Sequence, residues 1–117
     1  MFKDKSLDKT VAVLGGGIAG LETALRLERN GFNVKLVDPE DALLFYPSSY
    51  SILEGGNPRR ISIDYSRKFE GRNIEHVKDR VRGLKKSEKK VVLDDEELSY
   101  DYAVFCLGCE DNYHGID

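Results

Sequence analysis

Gly15, Gly17 and Gly20 stand at Gly-x-Gly-x-x-Gly spacing, between an apolar run and a helical pattern. Backbone without side chains at this spacing can approach an anion. The first glycine allows a tight turn, the second lets phosphate come close to the chain, and the third lets the helix pack near the strand. A helix beginning there turns its unpaired N–H groups and the positive end of its dipole toward the anion. Asp38 is the second candidate. It follows Gly20 by about 18 residues, close to the roughly 20 expected of a carboxylate that accepts both hydroxyls of an adenosine ribose. Its charge would repel a 2′-phosphate. The chemistry expected from these residues is the binding of an adenine dinucleotide, with NAD as the default on the glycines alone. A glycine-rich turn with a solvated Asp is the bland alternative.

Cys106 and Cys109 form Cys-Leu-Gly-Cys, a spacing that suits a redox dithiol or half of a zinc site. No second ligand pair accompanies them, since His76 and His114 stand apart, so no metal site is expected. Cys106 ends an apolar strand and does not begin a helix, where a thiol pKa would be lowered. A small buried residue is therefore favoured over a redox role. No motif commits a general acid or base, and the catalytic residues are left unassigned.

The elements that would position these groups can be traced along the chain. Val11, Val13 and Leu14 suit a buried parallel strand. Ile18, Leu21, Ala24, Leu25 and Leu27 recur at helical spacing, with Glu22 and Arg26 four apart on the other face. Asn30-Gly31 is a helix stop, and Phe32 to Val37 reads as the second strand, ending at Asp38. Pro39 to Gly56 reads as a long connection, unusually apolar and aromatic. Its Leu43, Leu44, Phe45, Tyr46 and Tyr50 suit either the lining of a flat ring or ordinary packing. Ile61, Tyr65 and Phe69 suit a second helix covering the sheet, and Ile74 to Val77 a short strand. Arg80 to Lys85 and Lys90 to Asp94 flank the hairpin turn Lys86 to Lys89, with Glu97 to Tyr100 as a third short strand. The crossover is thus an antiparallel meander where a plain nicotinamide-binding fold would use a helix. Tyr102 to Cys106 returns as a buried parallel strand.

The chain has 117 residues, 40% of them hydrophobic, and a net charge of −3, which bounds it to one domain and argues against a nucleic-acid partner. Basic runs at Arg59-Arg60, Lys78 to Arg82 and Lys85 to Lys90 are interrupted by acids and read as solvated surface. No apolar segment approaches the roughly 20 residues of a membrane span, and the polar N-terminus does not read as a signal peptide. A cytoplasmic location is expected.

From Val11 to Ile116 the chain resembles the N-terminal part of the two-dinucleotide-domain flavoprotein reductases, most closely the type II NADH dehydrogenases and sulfide:quinone oxidoreductases. The resemblance rests on residues 13–22, Leu-Val-Asp-Pro-Glu-Asp at 36–41 and Phe-Tyr-Pro-Ser-Ser-Tyr at 45–50. Tyr-Asp-Tyr-Ala-Val-Phe-Cys-Leu-Gly at 100–108 and Asn-Tyr-His-Gly-Ile at 112–116 complete it. It implies that the first glycine motif binds FAD, with Gly15, Gly17, Ile18 and Ala19 facing the pyrophosphate and Asp38 the adenosine ribose. By the same resemblance, Tyr46 and Pro47 lie on the flavin side, Val81 reads the adenine through its backbone, and Gly108 passes close to the phosphates. Cys106 stands where the family has a small residue, and its disulfide-reducing members carry their cysteines elsewhere.

The fold expected is a Rossmann-like three-layer α/β domain, with a parallel sheet in the order 3-2-1-4 and a small antiparallel meander crossover. Residues 1–117 would be one incomplete FAD-binding domain, since a second glycine motif for NAD(P)H and the family's C-terminal segment are not found before Asp117. The function implied is the FAD-binding part of an NAD(P)H-dependent flavin oxidoreductase, not competent alone, with NAD(P)H as co-substrate only in a complete parent protein. A stand-alone adenine-dinucleotide module without catalysis is the alternative. The electron acceptor stays open among quinone, sulfide, ferredoxin and oxygen, and a parent protein peripheral to the membrane is compatible with the resemblance. An open sheet edge and apolar surface near residues 43–53 would pair with another copy or with the remainder of a parent chain.

Overall fold

An unbroken apolar run has no polar face to offer water, so the strand it forms must be covered on both sides. In the computed structural model, which describes residues 8–45 and 61–107, strand β1 (Thr10–Leu14) is covered in this way. Its Val11, Ala12, Val13 and Leu14 are each no more than 2% exposed. It pairs in parallel with β2 (Asn33–Val37) on one side, matching Val11 to Val34 and Leu14 to Val37.

Helix α1 (Gly17–Arg29) connects β1 to β2. It ends where the Asn30 and Gly31 N–H groups donate to carbonyls of its last turn, and Gly31 takes a positive φ of 92°. The hairpin β3 (Ala42–Phe45) and β4 (Ile61–Asp64) follows, then a one-turn helix α2 (Tyr65–Lys68). Strand β5 (Ile74–Val77) joins the parallel sheet beside β2. Strands β6 (Val81–Lys85), β7 (Lys90–Leu93) and β8 (Glu97–Ser99) form the antiparallel meander. Finally β9 (Tyr102–Phe105) returns beside β1. The parallel sheet has the order β5-β2-β1-β9, which is the 3-2-1-4 arrangement with its meander crossover.

Side chains on a strand alternate between faces, and this period divides the core in two. Val11, Val13, Val34 and Leu36 face Leu21 and Ala24 of α1, together with Leu43, Tyr65 and Phe69. Ala12, Leu14 and Val37 face the other way, onto Val91, Leu93 and Leu98 of the meander. The layers are therefore helix, parallel sheet and meander. At the start of β1 the Thr10 N–H donates to Asp101 Oδ2 at 2.7 Å, and the Asp101 N–H donates to the Thr10 carbonyl at 2.9 Å, which fixes where β9 enters.

Three expectations are corrected. Ile61, Tyr65 and Phe69 do not share a covering helix. Ile61 lies in β4, and α2 is a single turn capped by Asp64, whose side chain accepts from the Ser66 N–H at 3.0 Å. The period-two pair Ile61 and Ile63 prevails over the wider spacing of four because Ala42–Phe45 lies opposite it, with Leu43 beside Ile63. The connection after Asp38 accordingly contains a strand, β3, where a loop was expected. Of the apolar stretch expected near 43–53, Leu43 is buried, and 46–53 lie outside the described residues. The strand expected to be buried, β9, is instead an open edge of the sheet among the described residues, with Tyr102 55% and Phe105 60% exposed, because it is paired only with β1 there.

Leu36, fully buried between α1 and the sheet, sets a scale for this core. Leu36→Ala should lower unfolding free energy by about 2–5 kcal/mol in chemical denaturation. Arg26→Ala, which removes only the exposed pair with Glu22, should change it by less than about 1 kcal/mol.

Candidate functional site

The carboxyl ends of β1, β2 and β9 meet where the chain leaves β1 toward one neighbour and later returns on the other side. In open α/β sheets such a switch point forms a crevice. Here it is a cleft of about 570 Å³ walled by Gly15–Gly17, the segment from Val37 to Glu40, the segment from Asp79 to Val81, and Cys106 with Leu107. A smaller recess of about 350 Å³ shares Gly17, Asp38 and Glu40 with the cleft and continues past them to Ala42, Leu43 and Tyr65.

The glycine turn is built by close approach. Gly15 has a φ of 103°, and its N–H donates to the Val37 carbonyl at 2.8 Å, so its amide belongs to the turn and not to a ligand. A side chain there would run into the backbone of Cys106 and Leu107, and one at Gly20 would strike the Gly15 carbonyl. Gly17 differs. Its φ is 76°, yet a Cβ would meet nothing within 4 Å, so open space lies in front of the second glycine. Helix α1 starts at Gly17 with no side-chain cap and no acidic residue in its first turn. The amides of Ile18 and Ala19 have no intrahelical partner, by the geometry of any helix start.

Two side chains from distant segments hold this turn. Asp38 Oδ2 accepts from the Gly16 N–H at 2.6 Å, while Oδ1 accepts from the Glu40 N–H at 2.8 Å. The Tyr65 hydroxyl accepts from the Gly17 N–H at 3.1 Å. A methyl group on Gly16 would collide with both oxygens, which places the carboxylate and the phenol together against one peptide. Tyr65 is 1% exposed, stacked on Phe69 with ring centroids 5.8 Å apart and tilted against His76 at 5.0 Å. His76 Nε2 in turn contacts the Asp38 carbonyl at 3.0 Å. Burial raises the Tyr65 pKa above the ordinary phenol value; the Gly17 amide opposes this, and the charges of Asp38 and Glu40 add to it. The phenol is thus neutral at physiological pH and keeps its proton as a donor.

At the far wall, Asp79 organises the entry to the meander. Its carboxylate accepts from the Arg80 N–H at 2.7 Å and from the Asp94 and Asp95 N–H groups at 3.2 Å each. Val81 follows on the cleft wall, at a register shift between β6 and β7. Among the described lining residues Arg80 is the basic side chain, against Asp38, Glu40 and Asp79. Cys106 is half-buried, with its thiol 4.0 Å from Thr23 Oγ1. Among the described residues, no three His, Cys, Asp or Glu side chains converge as metal ligands.

The structure thus brings Gly15, Gly17, Asp38 and Val81 to one cleft. Ile18 and Ala19 occupy the first turn of α1, and Gly20 lies on the turn of Gly15. Tyr46, Pro47, Gly108 and Cys109 lie outside the described residues. Sequence reasoning missed Tyr65 as a site residue. Read locally it is a packing aromatic, and nothing near it in sequence points to Gly17, 48 positions away.

A family model described as pyridine nucleotide-disulphide oxidoreductase matches residues 9–117. An alternative NAD(P)H-ubiquinone oxidoreductase C1, chloroplastic/mitochondrial, of Arabidopsis thaliana is 33% identical, covering 86% of this chain and 23% of its own. Ferroptosis suppressor protein 1 of Xenopus tropicalis is 28% identical over 90% of this chain and 28% of its own. The chain therefore spans about a quarter of the length of these relatives. Among solved structures, the sulfide:quinone oxidoreductase of Aquifex aeolicus superposes with a TM-score of 0.77 at 23% identity, over 90% of this chain and 25% of that one.

The turn geometry separates the glycines by mechanism. Gly15→Ala should lower unfolding free energy by on the order of 3 kcal/mol, because left-handed backbone and a backbone collision combine. Gly17→Ala faces open space and should cost about 1–2 kcal/mol through its φ alone. Thermal unfolding of the two variants measures the difference.

Proposed function

The chain belongs to the pyridine nucleotide-disulphide oxidoreductase family, and from that premise we propose that it is the FAD-binding part of an NAD(P)H-dependent flavin oxidoreductase. The observation that carries this reading is the cleft at the switch point. There a helix start whose N-cap residue has no side chain, a glycine with open space before it and a carboxylate at the end of β2 face a single volume. These residues fit a dinucleotide. The first-turn amides of α1 and the bare backbone at Gly17 suit a diphosphate. Asp38 still has a lone pair free on each carboxylate oxygen after its two backbone bonds, which suits the hydroxyl pair of a ribose. Val81 offers its backbone to the adenine from the meander.

The family resemblance adds Tyr46 and Pro47 beside the flavin and Gly108 near the phosphates. Bound flavin would supply the hydride and electron chemistry, while the protein supplies binding, orientation and electrostatics. Within that division this chain's residues hold the adenosine diphosphate end. Asp38, Glu40 and Asp79 surround the ribose position with negative charge, which disfavours a 2′-phosphate there. Under this reading residues 1–117 form one FAD-binding domain that serves a larger reductase. The open edge at β9 is part of the proposal as a site of self-association or of pairing with further chain, since an exposed strand edge is a template for pairing. Among the described residues, no helix is long and apolar enough to cross a membrane.

Purified protein should carry flavin absorbance, or take up FAD when it is added. A colourless protein that binds NAD or ATP and refuses FAD supports the non-catalytic module instead. Asp38→Ala should weaken ADP and FAD binding by about 1.5–3 kcal/mol in calorimetry, as bonds to a charged acceptor are lost. Unchanged affinity removes the ribose assignment. Sedimentation should show concentration-dependent association, and a clean monomer at high concentration counts against pairing at β9.

A further inference from the structure

The Tyr65 phenol sits at an unusual place for a core side chain. Its ring is among the largest fully buried groups of the fold, yet its oxygen ends at the first amide of α1. It also lines the recess that continues the cleft past Gly17. We propose that Tyr65 is a binding residue for the ligand's diphosphate, its hydroxyl extending the row of backbone donors at the glycine turn. This rests on the dinucleotide reading given above and deepens it.

A hydroxyl has one hydrogen to donate and lone pairs to accept with. Here the acceptor side is taken by the Gly17 N–H at 3.1 Å. The hydrogen is left to point away from that amide, and two acceptors compete for it: the Asp38 carboxylate, and an anion in the recess. Asp38 Oδ2 accepts from the Gly16 N–H at 2.6 Å and Oδ1 from the Glu40 N–H, and the lone pair left on each is the one the ribose hydroxyls take in the bound state. A diphosphate oxygen placed against Ile18 and Ala19 would carry negative charge with lone pairs to spare. The chain Gly17 N–H to Tyr65 O–H to phosphate oxygen then polarises in one direction, which strengthens each bond in it.

Burial and the neighbouring Asp38 and Glu40 charges keep the phenol protonated, as this role requires. A neutral donor also suits the place. Asp38 and Glu40 already set negative charge beside the recess, so the Ile18 and Ala19 amides and the phenol proton must offset it for a diphosphate, and an ionised phenol would add to the repulsion. The ring is rigid on its stack with Phe69 and its contact with His76, so the hydroxyl is positioned before any ligand arrives.

Tyr65→Phe tests this, because the ring and its packing stay while the hydroxyl goes. Calorimetric titration of the protein with ADP and with adenosine separates the diphosphate from the ribose and base. The variant should bind ADP about 3- to 10-fold more weakly, the range of one neutral hydrogen bond, and adenosine unchanged. Equal ADP affinity, or tighter binding from a freed Gly17 amide, overturns the proposal. An equal loss for adenosine overturns it too, since the phenol would then act through Asp38. Amide exchange at Gly17 should quicken in the unliganded variant, and an unchanged rate would show that the hydroxyl does not hold that amide. Wild-type protein that binds neither ADP nor FAD sinks the dinucleotide reading itself, with this proposal, and is distinct from a wild type that binds ADP alongside an unaffected variant.

Discussion

Between the last residue of β1 and the first of α1 the chain has two residues in which to reverse from a covered strand into a packed helix. Everything else in the site depends on that turn having no side chains. The Gly15 carbonyl lies against Gly20, the Cys106 backbone lies against Gly15, and the Gly15 amide completes a bond to Val37. Three elements, β1, α1 and β9, are therefore held at backbone contact. The helix start is aimed out of the sheet's carboxyl edge as a consequence, and the cleft is the space this arrangement leaves.

The turn does not hold itself. Gly16 and Gly17 present adjacent amides, and each is met by an oxygen from elsewhere in the chain, Asp38 from the end of β2 and Tyr65 from α2. Binding and folding thus draw on the same groups. Asp38 is a tether of the loop as well as the acid proposed for a ribose, and Tyr65 is a core aromatic as well as a wall of the recess. The half-buried Asp38 carboxylate and the hydroxyl of the buried Tyr65 cost little to place, because each is met by a backbone donor, and among the described residues no buried side-chain polar atom lacks a partner.

Much of this was legible in the order of residue types. The apolar run at 11–14, the glycine spacing and the acid at 38 each report a local requirement: burial on two faces, a tight turn, a strand end at the carboxyl edge. The meander was legible from the turn at Lys86 to Lys89 between its flanking stretches, but not which side it buries, since Val91, Val92 and Leu93 are all apolar and only packing turns Val91 and Leu93 inward. The hairpin of β3 and β4 was not legible, because Ile61, Tyr65 and Phe69 fit a helical spacing as well as Ile61 and Ile63 fit a strand. Only a partner strand removes that ambiguity, and the partner begins about 20 positions earlier in the chain.

By itself, the sequence determined the periods: which stretches alternate, which repeat at helical spacing, and where side chains are missing. Those are properties of short windows, governed by backbone geometry and by which side of an element meets water. Tertiary structure decided which distant groups meet. Tyr65 reaches Gly17 because β3 and β4 return the chain to the core on the α1 side, and Val81 reaches the cleft because the meander packs Val91 and Leu93 on Leu14 and Val37. No window of sequence contains such a meeting, since its free energy comes from burying surfaces that lie far apart along the chain.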